Sequence, residues 1–294
     1  MKRSLLFLPG NNPNLLINGD VLGADAVIFD LEDAVAPDEK DAARILVRNA
    51  LGALDFSSVE VIIRINSIAS DGYWKLDLDE VVPLKPACIL VTKVRDAEYA
   101  RTVSAYIGDV EARSGIAAGT VKMIALIETA LGLENAFSIA AADPRISGIF
   151  LGAEDLTADL QSARTKSGEE IAYARGRMVA AARAAGIDVY DTPFTDVNDD
   201  EGIVVDAQLA KTFGFSGKAA ISPRHVAAIN RAFSPTHKEI DYAHSVLKAI
   251  EEAKAQGKGA VSLFGKMIDA PIVLRARQTL ALAAAVNPGR GGKR

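Results

Sequence analysis

The stretch Val121-Lys-Met-Ile-Ala-Leu-Ile-Glu128-Thr-Ala-Leu-Gly-Leu-Glu-Asn-Ala136-Phe-Ser-Ile-Ala-Ala-Ala142, continued by Ile146-Ser-Gly-Ile-Phe-Leu151, decides the fold class. It opens on a largely apolar run, Val121 to Ile127, of the kind expected of a parallel strand covered on both faces. Leu131 to Ala142 then carries apolar residues at helical spacing, and Ile146 to Leu151 is a second apolar run. Working outward, further runs lie at Ser4 to Leu8, Ala26 to Asp30, Val59 to Ile65, Ala87 to Thr92, Ile187 to Tyr190 and Gly217 to Ile221. Helix-like segments such as Lys40 to Leu51 and Glu170 to Ala185 separate them. Eight strand–helix units in about 230 residues fit a (β/α)8 barrel better than an open doubly wound sheet. No G-x-G-x-x-G follows the first run.

The reading therefore predicts an α/β chain with a TIM barrel over residues 1–230 and a C-terminal helical extension over residues 231–294. In that extension Lys238 to Gln256 reads as helix, a Gly-Lys-Gly break follows, and Val261 to Ala285 resumes the pattern. The tail Asn287 to Arg294 has nothing to bury and is expected to be disordered.

Bulk chemistry narrows the function. With 33 basic against 38 acidic residues and a net charge of −5, nothing favours a nucleic acid or an anionic membrane as partner. The single cysteine, Cys88, lies in an apolar run and reads as a buried thiol in a reducing cytoplasm. Too few apolar residues precede Pro9 to form a signal-peptide core, and no run has the length of a membrane span. All three histidines, His225, His237 and His244, follow the eighth run and read as packing or surface residues. A Ser-His-Asp triad or a histidine zinc site is hard to build from them. Gly214 to Lys218 and Gly265-Lys266 are weak phosphate-loop candidates. Trp74 reads as packing from a loop after Asp71-Gly72.

In such a barrel the chemistry sits where the strands end at their C-termini. Those ends are Asp30-Leu-Glu32-Asp33, Arg64-Ile-Asn66, Lys93, Glu128, Gly152-Ala153-Glu154-Asp155 and Asp191. Carboxylates from four ends, with Arg64 and Lys93, are expected to face one mouth. Carboxylates gathered without histidine must either raise their pKa values or hold a cation, and the cation is the simpler outcome. Hard oxygen ligands of this kind suit Mg²⁺, which takes one or two carboxylates and keeps waters. Asp33, Asp96 and Asp143 read instead as helix caps. Thr129 is placed to cap the helix after Glu128, which frees Glu128 to act as a ligand.

These motifs resemble one family, that of the citrate lyase β subunit and its stand-alone relatives, the malyl-, citramalyl- and citryl-thioester lyases. The resemblance runs through Arg3 to Gly10, Asp30-Leu-Glu-Asp33 with Lys40, Arg64-Ile-Asn66, Ala125-Leu-Ile-Glu128-Thr, Leu151-Gly-Ala-Glu-Asp155 and Gly265-Lys-Met-Ile-Asp269. It implies a trimer with one Mg²⁺, or Mn²⁺ in its place, at the mouth. By position it implies Glu128 and Asp155 as metal ligands, Arg64 as a substrate contact, and the amides around Gly152, Ala153 and Glu154 as a carboxylate-binding turn. Asp269 matches an aspartate that enters the active site from a neighbouring subunit, and is the expected general base, with Glu32 in reserve.

The implied activity is reversible cleavage of a 3-hydroxy-acyl thioester, citryl-CoA or its carrier-bound form, to an α-keto acid and an acetyl thioester. Alternatives are a citramalyl-CoA or malyl-CoA lyase, a class II 2-keto-acid aldolase, and a lyase-complex subunit that acts only with an acyl carrier protein. Ser222-Pro223-Arg224 stands where many stand-alone relatives carry His-Pro, which is nearer the citrate lyase pattern. Val91-Thr92-Lys93 replaces the common Leu-Pro-Lys, and Asn11-Asn12 stand where some relatives place basic residues near coenzyme A.

Overall fold

Inward and outward positions alternate along each strand, so the apolar runs need a closed sheet to bury both faces. In a computed structural model that describes residues 2–70, 72–255 and 261–286, that closure is complete. The strands are β1 (Ser4–Pro9), β2 (Ala26–Asp30), β3 (Glu60–Ile65), β4 (Cys88–Val91), β5 (Lys122–Ile127), β6 (Ile146–Leu151), β7 (Asp188–Asp191) and β8 (Gly217–Ala220). They pair in parallel and in chain order, and β8 returns to β1 through Leu5↔Ala219. This is a (β/α)8 barrel with its helices between successive strands.

The barrel interior is a packed core that includes Leu5, Ile28, Ile62, Leu90, Leu126 and Phe150. Stepping two residues along from Ile28, Ile62 and Leu126 gives Asp30, Arg64 and Glu128. The same parity that fills the core with aliphatic side chains therefore aims these polar groups into the C-terminal mouth. Cys88 is buried in the same interior, as its apolar run implies.

Parity also corrects one expectation. Tyr190 faces the interior, so Asp191, the next residue, faces away from it and not into the mouth. There Arg175 Nε and Nη2 donate to its two oxygens at 3.0 and 2.9 Å, and Lys218 Nζ donates at 2.7 Å. Asp206 completes the group, 2.7 Å from Arg175 and 2.6 Å from Lys218. Two cations and two carboxylates thus neutralise one another between the barrel wall and the helices Ala172–Ala185 and Asp200–Phe213. Lys218 also donates to the carbonyl of Thr192 at 2.6 Å, which fixes the chain where it leaves β7.

Several helices differ from their sequence reading. The segment 131–142 forms two short helices, Ala130–Glu134 and Ala136–Ala140, because Asn135 leaves helical geometry between them. Trp74 lies on a helix, Tyr73–Val81, rather than in a loop, and is buried with its ring edge against Tyr106. Asp71 lies outside the described residues. His225 is buried on the helix Pro223–Phe233 beside Phe194.

The chain divides into two compact units, Lys2–Arg231 and the segment from Ala232 onward. In the second, the helices His237–Ala255 and Ala270–Val286 pack through Ala243, Val246 and Ala276. Part of the segment read as helical is instead an antiparallel hairpin, β9 (Val261–Leu263) and β10 (Lys266–Ile268). Phe264 and Gly265 turn it with φ of 51° and 75°, the paired left-handed geometry of a tight hairpin turn. This turn accounts for Gly265 without a phosphate. The Gly-Lys-Gly break and the tail from Asn287 lie outside the described residues. No described helix is long and apolar enough to cross a membrane.

Removing one partner from a buried ion cluster strands the rest without compensation, at a cost of about 3–5 kcal/mol. Asp191→Asn should therefore lower the unfolding free energy by about that amount in urea denaturation. A loss below about 1 kcal/mol would show that the cluster is dispensable.

Candidate functional site

The C-terminal mouth of the barrel holds a cavity of about 350 Å³ lined by Phe7, Asp30, Asp33, Arg64, Glu128, Gly152, Glu154, Asp155 and Thr192, among others. Asp30 and Arg64 are register partners on β2 and β3, so their side chains meet side by side. Asp30 takes Arg64 Nε at 2.7 Å and Nη2 through its second oxygen. Its carboxylate also accepts the backbone N–H groups of Glu32 and Ala34, which bends the loop after β2 over the mouth. Lys40 Nζ secures that loop from outside through the carbonyls of Leu31 and Glu32.

Glu32 does not line the cavity. It is buried with one oxygen 2.8 Å from Lys93 Nζ and the other 3.2 Å from Arg64 Nη1. Arg64 is thus held by Asp30 and Glu32 together, with its guanidinium 5.0 Å from the centre of the Phe7 ring. Asp33 caps no helix in the structure. It faces the cavity, 3.8 Å from Lys93 Nζ. Asp96 does cap the helix Ala97–Arg113, accepting the Tyr99 N–H at 2.8 Å. Asp143 precedes a strand and closes a local turn onto the Arg145 N–H.

Glu128 follows the end of β5 and is 4% exposed, while Thr129 caps the next helix through the Gly132 N–H. Its Oε1 accepts the backbone N–H of Lys93 at 2.7 Å. Lys93 is in the left-handed region at φ 55°, a conformation that is sparsely populated by residues other than glycine. That turn brings the N–H onto Glu128. Gly152 is required on the other side, since a Cβ there would lie 2.7 Å from both Cβ and Oε2 of Glu128. Glycine lets β6 approach the carboxylate closely.

Glu154 and Asp155 lie in the first turn of the helix Ala153–Asp159, where backbone N–H groups have no intrahelical acceptor. The Gly152 N–H is already donated to the Ile127 carbonyl at 3.0 Å, and the Ala153 N–H to Thr192 Oγ1 at 3.3 Å. An anion at this turn would therefore meet the amides from Glu154 onward. The Glu154 side chain points to Arg164, 2.9 Å away. Asp269 is in the second unit, where its carboxylate accepts the Ile272 N–H at 3.1 Å and caps the helix Ala270–Val286.

The mouth has an excess of negative charge. Burial, with Glu32 and Asp155 as neighbours, pushes the Glu128 carboxyl up to about 8 against the partial compensation of Lys93 and Arg64. Burial also raises Glu32, although Arg64 and Lys93 pull it back. Burial acts to lower the Lys93 ammonium, but Glu32, Asp33 and Glu128 outweigh it and raise it. A divalent cation beside Glu128 and Asp155 would supply the missing charge. Among the described residues, no three His, Cys, Asp or Glu side chains converge as a complete ligand set. Two carboxylates on an open cavity leave room for water and substrate oxygens, a donor set that fits Mg²⁺.

The sequence reading placed Lys93 at the mouth without giving it a task there, and it read Asp33 as a helix cap rather than a wall of the cavity. A lysine directly after a strand end was a visible signal for the first. The motif Asp30-Leu-Glu-Asp33 contained the second, but its spacing did not tell a cap from a wall.

Comparison with known proteins gives the family of the chain and relatives of its fold. The family model for HpcH/HpaI aldolase/citrate lyase matches residues 3–223. Citrate lyase subunit beta of Leuconostoc mesenteroides subsp. cremoris is 44% identical over 285 residues, covering 97% of this chain and 94% of that protein. The (3S)-malyl-CoA thioesterase of Cereibacter sphaeroides is 34% identical over 284 residues, covering 97% and 95%. Among solved structures, CitE from Mycobacterium tuberculosis in complex with magnesium, acetoacetate and coenzyme A superimposes with a TM-score of 0.79 at 29% identity. It covers 96% of this chain, which covers 98% of it in return.

The Glu128 carboxyl has a pH consequence. Its pKa near 8 exceeds the ordinary 4.5, so the folded chain binds more protons than the unfolded chain between those values. Stability of the metal-free protein should then fall as pH rises from about 4.5 to 8, and Glu128→Gln should flatten that slope. Denaturant midpoints across this range test it, and parallel slopes for the two proteins would contradict it.

Proposed function

The chain belongs to the HpcH/HpaI aldolase/citrate lyase family, and on that premise we propose that it is a Mg²⁺-dependent carbon–carbon lyase acting on citryl-CoA or a citryl group on an acyl carrier. The products are oxaloacetate and an acetyl thioester. The observation that carries this reading is the placement of Glu128, Asp155 and Arg64 around one cavity. Citrate lyase β subunits are more similar to this chain than the malyl-CoA thioesterases, at 44% against 34% identity, which favours the citryl substrate.

Glu128 and Asp155 would hold Mg²⁺, which when bound polarises the hydroxyl and adjacent carboxylate of the substrate as a Lewis acid. Arg64 has a fixed plane, with Asp30 on Nε and Nη2 and Glu32 on Nη1. Its remaining N–H groups supply permanently charged donors to the enolate oxygen that develops as the bond breaks. The amides from Glu154 onward receive a substrate carboxylate at the first turn of their helix. Phe7 and Phe150 make the cavity wall apolar, which strengthens each of these contacts by excluding water.

Proton transfer is assigned to Asp269 of a neighbouring subunit in a homotrimer. Glu32 stands in reserve for that task, and its pairing with Lys93 and Arg64 also suits it to hold those two cations in place. The assembly could stand alone or within a larger citrate lyase complex, the second with a carrier protein as partner.

The direct experiment is oxaloacetate release from citryl-CoA by the purified chain with Mg²⁺. Glu128→Gln and Asp155→Asn should each cost about 10²-fold or more in kcat/KM with the fold unchanged. Full turnover of either variant, or of the wild type in excess EDTA, would end the metal reading. Asp269→Ala and Glu128→Gln chains, each inactive, should regain turnover when mixed, because exchanged subunits create mouths with both functions intact. A mixture that exchanges subunits and stays inactive would place Asp269 outside a shared site.

A further inference from the structure

Lys93 faces both carboxylates assigned to the metal with two different parts of itself, its N–H bonded to Glu128 and its ammonium near Asp155. Its backbone N–H is fixed on Glu128 Oε1 at 2.7 Å by the left-handed turn. Its ammonium lies 3.7 Å from Asp155 Oδ2, 3.8 Å from Asp33 Oδ1 and 2.8 Å from Glu32 Oε1. We propose that the Lys93 ammonium is a resident counter-cation that competes with the divalent ion for Asp155, so that Lys93 sets the metal affinity of the mouth. The inference rests on the metal reading above and deepens it.

The distances divide the contacts into a tether and a loose pairing. Glu32 holds the ammonium at hydrogen-bond distance, whereas Asp155 and Asp33 lie beyond it and attract only through charge. A dication entering between Glu128 and Asp155 repels the ammonium, which can turn away from Asp155 without leaving Glu32. The Lys93 side chain is 40% exposed, so it has open space to move into. Glu128 stays in place during this exchange because its contact is with the Lys93 backbone. Lys93 is thus a positioning residue for Glu128 and a competitor at Asp155.

Calorimetric titration of the purified chain with MgCl₂ alone, without substrate, tests this. Lys93→Met should tighten Mg²⁺ binding by about fivefold or more, because a neighbouring positive charge is gone. Lys93→Arg keeps the charge and should stay within about twofold of wild type. Lys93→Gln gives the same reading as Lys93→Met should the methionine variant fail to fold by circular dichroism. Unchanged or weaker binding in a folded Lys93→Met or Lys93→Gln chain overturns the proposal. Weaker binding would show that the ammonium supports the site structurally instead of competing for it. Saturable Mg²⁺ binding by wild type with no change in the variants removes this inference alone. A wild-type chain that binds no Mg²⁺ removes the metal reading and this inference together.

Discussion

Asp30, Glu32, Asp33, Glu128 and Asp155 share one end of the barrel with Arg64 and Lys93, and that imbalance governs how the mouth is built. Asp30 is spent on Arg64 across the β2–β3 ladder, and Glu32 is shared between Arg64 and Lys93. The deficit falls on Glu128, which is buried, and on Asp155, which stays half exposed on the rim. A buried carboxylate with like-charged neighbours either takes up a proton or recruits a cation. The proposed metal site is the second outcome, and two features suit it: the Lys93 N–H holds Glu128 and the absent side chain of Gly152 clears space for it.

The barrel supplies the precision this needs. Strand parity carries the aliphatic core upward into Asp30, Arg64 and Glu128 with no change of pattern, so the site is the last interior layer of the core. The opposite parity sends Asp191 and Lys218 outward, where with Arg175 and Asp206 they form a neutral cluster behind β7 and β8. That cluster holds the Thr192 carbonyl, and the Thr192 hydroxyl accepts the Ala153 N–H at the start of the turn bearing Asp155. Charge balance behind the wall therefore supports geometry in front of it.

The strands were legible because a short, continuous apolar run that ends in a polar residue is what a parallel strand buried on both faces requires, and eight such runs recur here. Glu128, Asp155 and Arg64 drew attention because each lies at or just beyond the end of such a run, while the roles expected of Asp155 and Arg64 came from the family resemblance. Asp191 was misplaced because a strand end names a residue without saying which face it occupies, and the phase was set by Tyr190. The role of Lys93 was hidden in a backbone angle, which residue type does not reveal for lysine. Asn135 interrupts a helix whose apolar spacing continues through it, and the hairpin at Phe264-Gly265 lies in a segment read as part of a helical extension. In both cases local backbone geometry overrides a periodicity that only averages over the segment.

The chemistry proposed for the mouth turns on a divalent cation between Glu128 and Asp155. Anomalous scattering from crystals grown with Mn²⁺ locates that ion directly, whatever the substrate proves to be. The expected result is one strong peak at the barrel mouth with an oxygen of Glu128 and one of Asp155 at about 2.0–2.2 Å, the remaining positions filled by water. A mouth with no peak at saturating Mn²⁺, or a peak held by other residues, would contradict it.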